Sequence, residues 1–240
     1  MSVSAHKSIV YLLSAGLIIT GLCIIAGIKA GLSGDILATF WFICVLLFQI
    51  PKLAVNLNSG PLWTTTFESL AICGGALLIA GMSSEAEATL PDQKNLSRKA
   101  INLGRIFYGV SLPVFGVLHF VFIDYVARVQ PSWIPGHVFW GYFTGVAHIA
   151  GGLSIVTKIK ARLASSLVAL MFGLWVVLLH IPLVMANTHS DNLVSSLVIA
   201  ATMCGGALLV YGCLRQYSEE QVEPQSKERQ ATAPRQSAST

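Results

Sequence analysis

Cys73-Gly74-Gly75-Ala76-Leu77-Leu78 returns as Cys204-Gly205-Gly206-Ala207-Leu208-Leu209, 131 residues further along the chain. The likeness extends well beyond this hexapeptide. At the same offset, residues 9–81 lie on 140–212 without a gap, and 24 of those 73 positions are identical. Ile28-Lys29-Ala30 meets Ile159-Lys160-Ala161, Gln49-Ile50-Pro51 meets His180-Ile181-Pro182, and Asn56 meets Asn187. Self-similarity at a fixed spacing marks a duplicated structural unit.

Each copy holds three apolar runs, near 9–29, 36–56 and 62–82, then near 137–157, 163–186 and 192–214. A seventh run, near 103–126, lies between the copies. About 20 residues at about 1.5 Å each cross the roughly 30 Å of bilayer hydrocarbon. Turn formers separate the runs: Gly31 to Gly34, Asn58 to Pro61, Pro131 to Gly136, and Asn187 to Asn192. Composition agrees, with 54% hydrophobic residues, 11% charged and a mean hydropathy of +0.70. A soluble domain carries about 25% charged residues. The expected fold is an all-α polytopic membrane protein with about seven transmembrane helices. Three helices, a linker helix and three more make both copies enter from one side, as a parallel repeat about an axis along the membrane normal.

The chain divides into an N-terminal three-helix repeat (1–82), a cytoplasmic linker of mixed charge (83–102), a four-helix domain (103–215) and a tail (216–240). The tail has no apolar periodicity and is expected to be disordered. Lys7 precedes an apolar stretch too long for a signal peptide, and the repeat gives that stretch a structural counterpart, so it reads as a retained helix. The five cysteines all lie in apolar runs with no CxxC pair, which argues against a thiol–disulfide enzyme. The net charge of +4 comes from basic loops and points to no nucleic-acid partner. With the N-terminus outside, the outer side holds Lys7, Lys52 and Arg128, and the other twelve Lys and Arg fall inside. The positive-inside rule then places the C-terminus in the cytoplasm of what reads as a bacterial inner membrane.

Ionisable groups at bilayer depth cost about 2.5–3.5 kcal/mol on insertion scales, so each calls for a partner or a purpose. His119, His180, Gln49 and Glu68 fall in the outer half, and His148 lies midway along its helix. On the helix over 137–157, His137, Gly141, Thr144, His148 and Gly152 share one face, which suits close packing or a cavity wall. Glu68 requires either a proton or a histidine partner. Pro51 and Pro182 kink their helices. Arg105, just inside the fourth helix, is expected to snorkel to the cytoplasmic headgroups. No metal-ligand spacing such as HxxxH accompanies the histidines, which leaves a metal unspecified.

Gly104-Arg105-Ile106-Phe107-Tyr108-Gly109 with Phe115-Gly116 and His119-Phe120 resembles the first helix of DoxX-like membrane proteins. Trp133-Ile134-Pro135-Gly136, Trp140, Gly145 and Gly151-Gly152-Leu153 are similar to the second. Arg162-Leu163-Ala164 and His180-Ile181-Pro182 resemble the ends of the third. The likeness covers about 103–214, and the N-terminal repeat then reads as a second copy lacking its first helix. In that copy Gln49 replaces His180 and Leu17 replaces His148. The resemblance implies an accessory or redox-associated membrane module with a membrane or periplasmic redox partner, touching quinone or a metal through its histidines. It supplies no catalytic residue. A transporter with a cavity between the repeats, or a structural subunit, is the alternative; no phosphate loop, dinucleotide fingerprint or hydrolase triad points to a classical enzyme.

The topology carries its own check. A C-terminal fluorescent-protein fusion should be bright in bacterial cells and a C-terminal alkaline phosphatase fusion inactive. The opposite pair of readings would invert the orientation.

Overall fold

Helical backbone dominates because nearly every polar main-chain group in lipid must find its partner within its own segment. The computed structural model describes residues 3–232, with side chains over 11–216. Its helices are α1 (Val3–Ile25), α2 (Ala30–Cys44), α3 (Ile50–Val55), α4 (Gly60–Glu87), α5 (Pro91–Val121), α6 (Ile123–Arg128), α7 (His137–Thr157), α8 (Ala161–Trp175), α9 (Ile181–Ala186) and α10 (Asp191–Thr232). Five-residue π-turns, Val45–Gln49 and Val176–His180, join α2 to α3 and α8 to α9. Among the described residues, six helical stretches are long and apolar enough to cross a bilayer, and Tyr11–Ile25 in α1 is a shorter apolar one. The chain is an all-α integral membrane protein.

The repeat is reproduced down to its irregularities. Both π-turns run up to the residue before Ile-Pro, at positions 131 apart. A proline offers no N–H to the carbonyl four residues back, and the wider π-turn takes up the misfit. Left-handed backbone occurs at Lys29 (φ 47°) and its counterpart Lys160 (φ 50°), and at Gly27 (φ 68°) and its counterpart Lys158 (φ 65°). The Cys73 thiol donates to the Ala38 carbonyl and the Cys204 thiol to the Ala169 carbonyl, each at 3.3 Å. Within each copy the first helix packs on the second and the second on the third, and the two third helices, α4 and α10, touch across the middle.

The helix without a counterpart, α5, is the hub. One face meets α4, where a Cβ on Gly74 would lie 2.6 Å from the Gly104 carbonyl and a Cβ on Gly104 would lie 2.6 Å from that of Gly74. The other face meets α7, where a Cβ on Gly116 would lie 2.6 Å from the Gly145 carbonyl. Pro113, inside α5, seats its ring against Gly152. Tyr108 is fully buried and donates from its hydroxyl to the Met203 carbonyl of α10 at 2.6 Å. Buried hydroxyls elsewhere bond their own helix, as Ser111 does to Phe107 and Thr66 to Leu62.

Two expectations change. The linker over 83–102 is mostly helix: α4 continues to Glu87 and α5 begins at Pro91, leaving three residues between them. Gln93 accepts the main-chain N–H groups of Thr89 and Leu90, and Arg98 pairs with Glu85 at 2.7 Å. Ser97 and Ile101 continue α5's buried stripe, which the charges around them disguise in the sequence. Arg105 does not snorkel. It is 5% exposed and donates to the Ile155 carbonyl and, at 2.9 Å, to that of Val156. A cation there meets the negative end of α7, and in the other copy α1 ends instead on Gly27 with Ile28 N–H bonded to the Cys23 carbonyl. The helix α10 is drawn to Thr232; the tail expected from 216 falls on residues whose side chains are not described, and 233–240 lie outside the described residues.

The α5–α7 seam admits a direct test. Gly116→Leu should lower unfolding stability in mixed micelles by about 3 kcal/mol or more, through overpacking against main chain that cannot yield. Gly173→Leu, where the nearest atom to a Cβ is Cys204 Sγ at 3.7 Å, should cost less than half of that.

Candidate ligand groove

The last three helices of the C-terminal half are not packed equally. Gly145 and Gly152 of α7 face α5 and Gly141 faces α6, and only Gly151 draws α7 close to α8, at Val168. Away from that contact the two helices stand apart around a groove of about 950 Å³. Trp133 and Trp140 lie at the end expected to face outward, and Met171, Leu174 and Leu178 lie along its length. Lys160 closes the opposite end. His119 and His180 supply imidazoles to a lining that is otherwise almost wholly apolar.

Behind the groove wall stands a histidine pair. The rings of His119 on α5 and His148 on α7 have centroids 5.2 Å apart. His148 is 1% exposed; its ring approaches the Thr144 main chain one turn back, and neither nitrogen completes a hydrogen bond of good geometry. Phe115, Phe172 and Trp175 surround it at centroid distances of 6.0, 5.4 and 5.6 Å. Trp175 also stacks on His119 at 6.1 Å. His119 Nδ1 lies 2.8 Å from the Phe115 carbonyl, and because a carbonyl only accepts, that nitrogen carries the hydrogen. In the neutral ring Nε2 is therefore left with a free lone pair, on a side chain that lines the groove.

The five candidate polar residues divide between two places. His119 and His148 come together on neighbouring helices, and His180 lines the same groove without ring contact to either. Gln49, the counterpart of His180, turns its amide toward Ser69 at 3.4 Å. At the position matching Ser69 the C-terminal copy has Ala200, so His180 lacks that partner. Glu68 is half-buried on α4 and forms no ion pair with a histidine among the described residues. His137 bonds the Pro131 carbonyl at 3.1 Å and ties its own hairpin. Pro51 and Pro182 each follow a π-turn, and Pro182 lies two residues beyond His180, at the end of the turn that presents it. Among the described residues no three His, Cys, Asp or Glu side chains group as metal ligands.

Sequence reasoning missed the aromatic half of the site. Trp175 was the available signal, since a tryptophan near mid-span lies away from the headgroup levels where membrane tryptophans concentrate. Pro113 was also passed over, although it shapes the seam that holds the histidine pair. No protein-family model, curated protein or solved structure matches this chain.

Beyond a poorly aligned approach to the Thr144 main chain, His148 has no polar partner in its aromatic box, which costs free energy that a similarly shaped apolar ring would not incur. His148→Phe should therefore raise unfolding stability in micelles by about 1 kcal/mol. A loss of that size or more would show that the imidazole is a satisfied packing residue.

Proposed function

We propose that the chain is a DoxX-like membrane module that binds a lipid-soluble molecule of the quinone class in the groove between α7 and α8, serving a membrane or periplasmic redox partner rather than acting as a free-standing enzyme. The observation that carries this reading is His119, which lines an elongated apolar groove with an unengaged Nε2 and rests against Trp175. An isoprenoid tail suits the Leu and Met lining, and a flat ring suits the Trp175 and His119 faces. In the reduced form a quinol hydroxyl would donate to His119 Nε2. In the oxidised form the same nitrogen, once protonated, would donate to a quinone carbonyl. His148, buried beside it, keeps the neighbouring surroundings apolar.

A transporter reading has less support. Its site would draw on both repeats, whereas every residue lining the groove lies between 119 and 180.

Tryptophan fluorescence tests the proposal because a bound quinone quenches nearby indoles. In nanodiscs, a short-chain ubiquinone or menaquinone analogue should quench emission saturably, and Trp175→Phe should remove most of the saturable part. His119→Ala should weaken binding at least tenfold. Quenching that rises linearly with concentration, and does so equally in His119→Ala, would mean simple partition into lipid and would end the quinone reading.

A further inference from the structure

The duplication is incomplete, and the missing piece leaves a mark on the surface. The C-terminal copy possesses α5, and the N-terminal copy has no equivalent. Five glycines on other helices contact α5; four have a glycine counterpart 131 residues away, and the fifth, Gly145, is matched by Ser14. Gly74 would place a Cβ 2.6 Å from the Gly104 carbonyl, whereas its counterpart Gly205 has nothing within 4 Å. Gly81 would meet Ile101 Cγ1 at 2.6 Å, whereas Gly212 has nothing closer than Met82 Cε at 4.0 Å. Gly206 would meet the Tyr108 ring at 2.5 Å, and Gly75 has nothing within 4 Å. Gly152 would meet the Gly109 carbonyl at 2.5 Å, and Gly21 again has nothing.

The larger side chains follow suit. Leu77 packs on Gly104, while its counterpart Leu208 is 55% exposed. Phe67 packs against the core, while its counterpart Val198 is 58% exposed. With Leu208 and Val198 exposed, Gly21, Gly205 and Gly212 half-buried, and Gly75 buried yet without a close neighbour, this set is the pseudo-twofold image of the seat that α5 occupies, and the protein itself shows what such a seat holds. Glycine inside a helix costs about 1 kcal/mol relative to alanine. Helices in lipid recover that cost where a second helix approaches closely, because packing rather than water exclusion drives their association.

We propose that Gly21 on α1, Gly75 on α4, and Gly205 and Gly212 on α10 form the docking seat for a transmembrane helix of a partner membrane protein. The helix would run in the same direction as α5, with small residues at the positions of Gly104, Gly109 and Gly116. An aromatic hydroxyl at the position of Tyr108 would reach the Ile72 carbonyl, the image of the Met203 carbonyl that Tyr108 itself meets. A second copy of this chain could offer only the same open glycines of α10 and α4, which bring no hydroxyl to the position of Tyr108, since α5 spends its own face on internal contacts. The proposal is independent of the quinone reading.

The probe is a synthetic peptide of residues 91–121, the sequence of α5 itself, carrying an acceptor dye and added to donor-labelled full-length protein in nanodiscs. Saturable one-to-one energy transfer is expected. Gly205→Leu with Gly212→Leu should weaken it at least tenfold, as should Gly104→Leu in the peptide, which leaves the protein untouched. Val177→Phe, on the outer side of the second π-turn, should have no effect. Non-saturable transfer, or binding indifferent to these glycines, would overturn the proposal. So would transfer between two labelled copies of the chain that Gly205→Leu abolishes, since the seat would then belong to a homodimer. A lipid retained in native mass spectrometry and lost on Gly205→Leu, with no peptide binding, would assign the seat to lipid and overturn it too.

Discussion

The close approach of α5 to two helices at once is the constraint on which the rest of the structure depends. Lipid tails are as apolar as leucine, so burying side chains between helices gains little, and contact must come from packing and from polar groups that meet across the seam. α5 provides both. Gly104 lets its main chain touch α4, Gly116 and Pro113 let it touch α7, and Tyr108 and Arg105 carry hydrogen bonds to carbonyls on α10 and α7. The two halves share a core through α4, whose Ala71 and Leu78 cluster with Tyr108 and Val210, while Ala38, Cys73 and Ala76 pack as a separate, smaller cluster. The halves are joined chiefly because this one helix and the α4–α10 contact bridge them.

That constraint also creates the groove. Gly145 and Gly152 of α7 are committed to α5, and toward α8 the same helix presents mainly small side chains, Thr144, Ala147, Ala150 and Ser154, which leave room between the two. Gly151 grants one point of contact, and the space on either side of it stays open. The same commitment carries His148 into the seam, where α5 brings His119 beside it and α8 closes the box with Phe172 and Trp175. An imidazole that completes no hydrogen bond of good geometry weakens the fold. Sites of this kind, where local packing rules are broken, tend to be the ones that a protein uses.

Much of the architecture could be read from residues alone, because a duplicated sequence under one physical regime folds the same way twice. The match of Gln49-Ile50-Pro51 with His180-Ile181-Pro182 anticipated two breaks at equal positions, although not that each would be a π-turn. Amphipathicity over 91–102 stayed hidden because Lys94, Arg98 and Lys99 outweigh Ser97 and Ile101 in any average, and periodicity over so short a span is faint. The burial of Arg105 could not be foreseen, since it depends on where α7 ends in space. The histidines were visible as costly residues, yet the pairing of His119 with His148 rather than with His180 follows from which helix faces which, and depth alone does not encode that.

The two copies have since diverged in opposite directions, and the differences concentrate where function would be expected. Where the N-terminal copy has Leu17, the C-terminal copy has His148; where one has Gln49 bonded to Ser69, the other has His180, with Ala200 at the position matching Ser69. At these two positions the N-terminal copy satisfies or removes a polar group, whereas Glu68 against Ile199 runs the other way. The N-terminal copy keeps open glycines along the image of α5's seat, while the C-terminal copy, which has α5, holds the His119–His148 pair beside a groove.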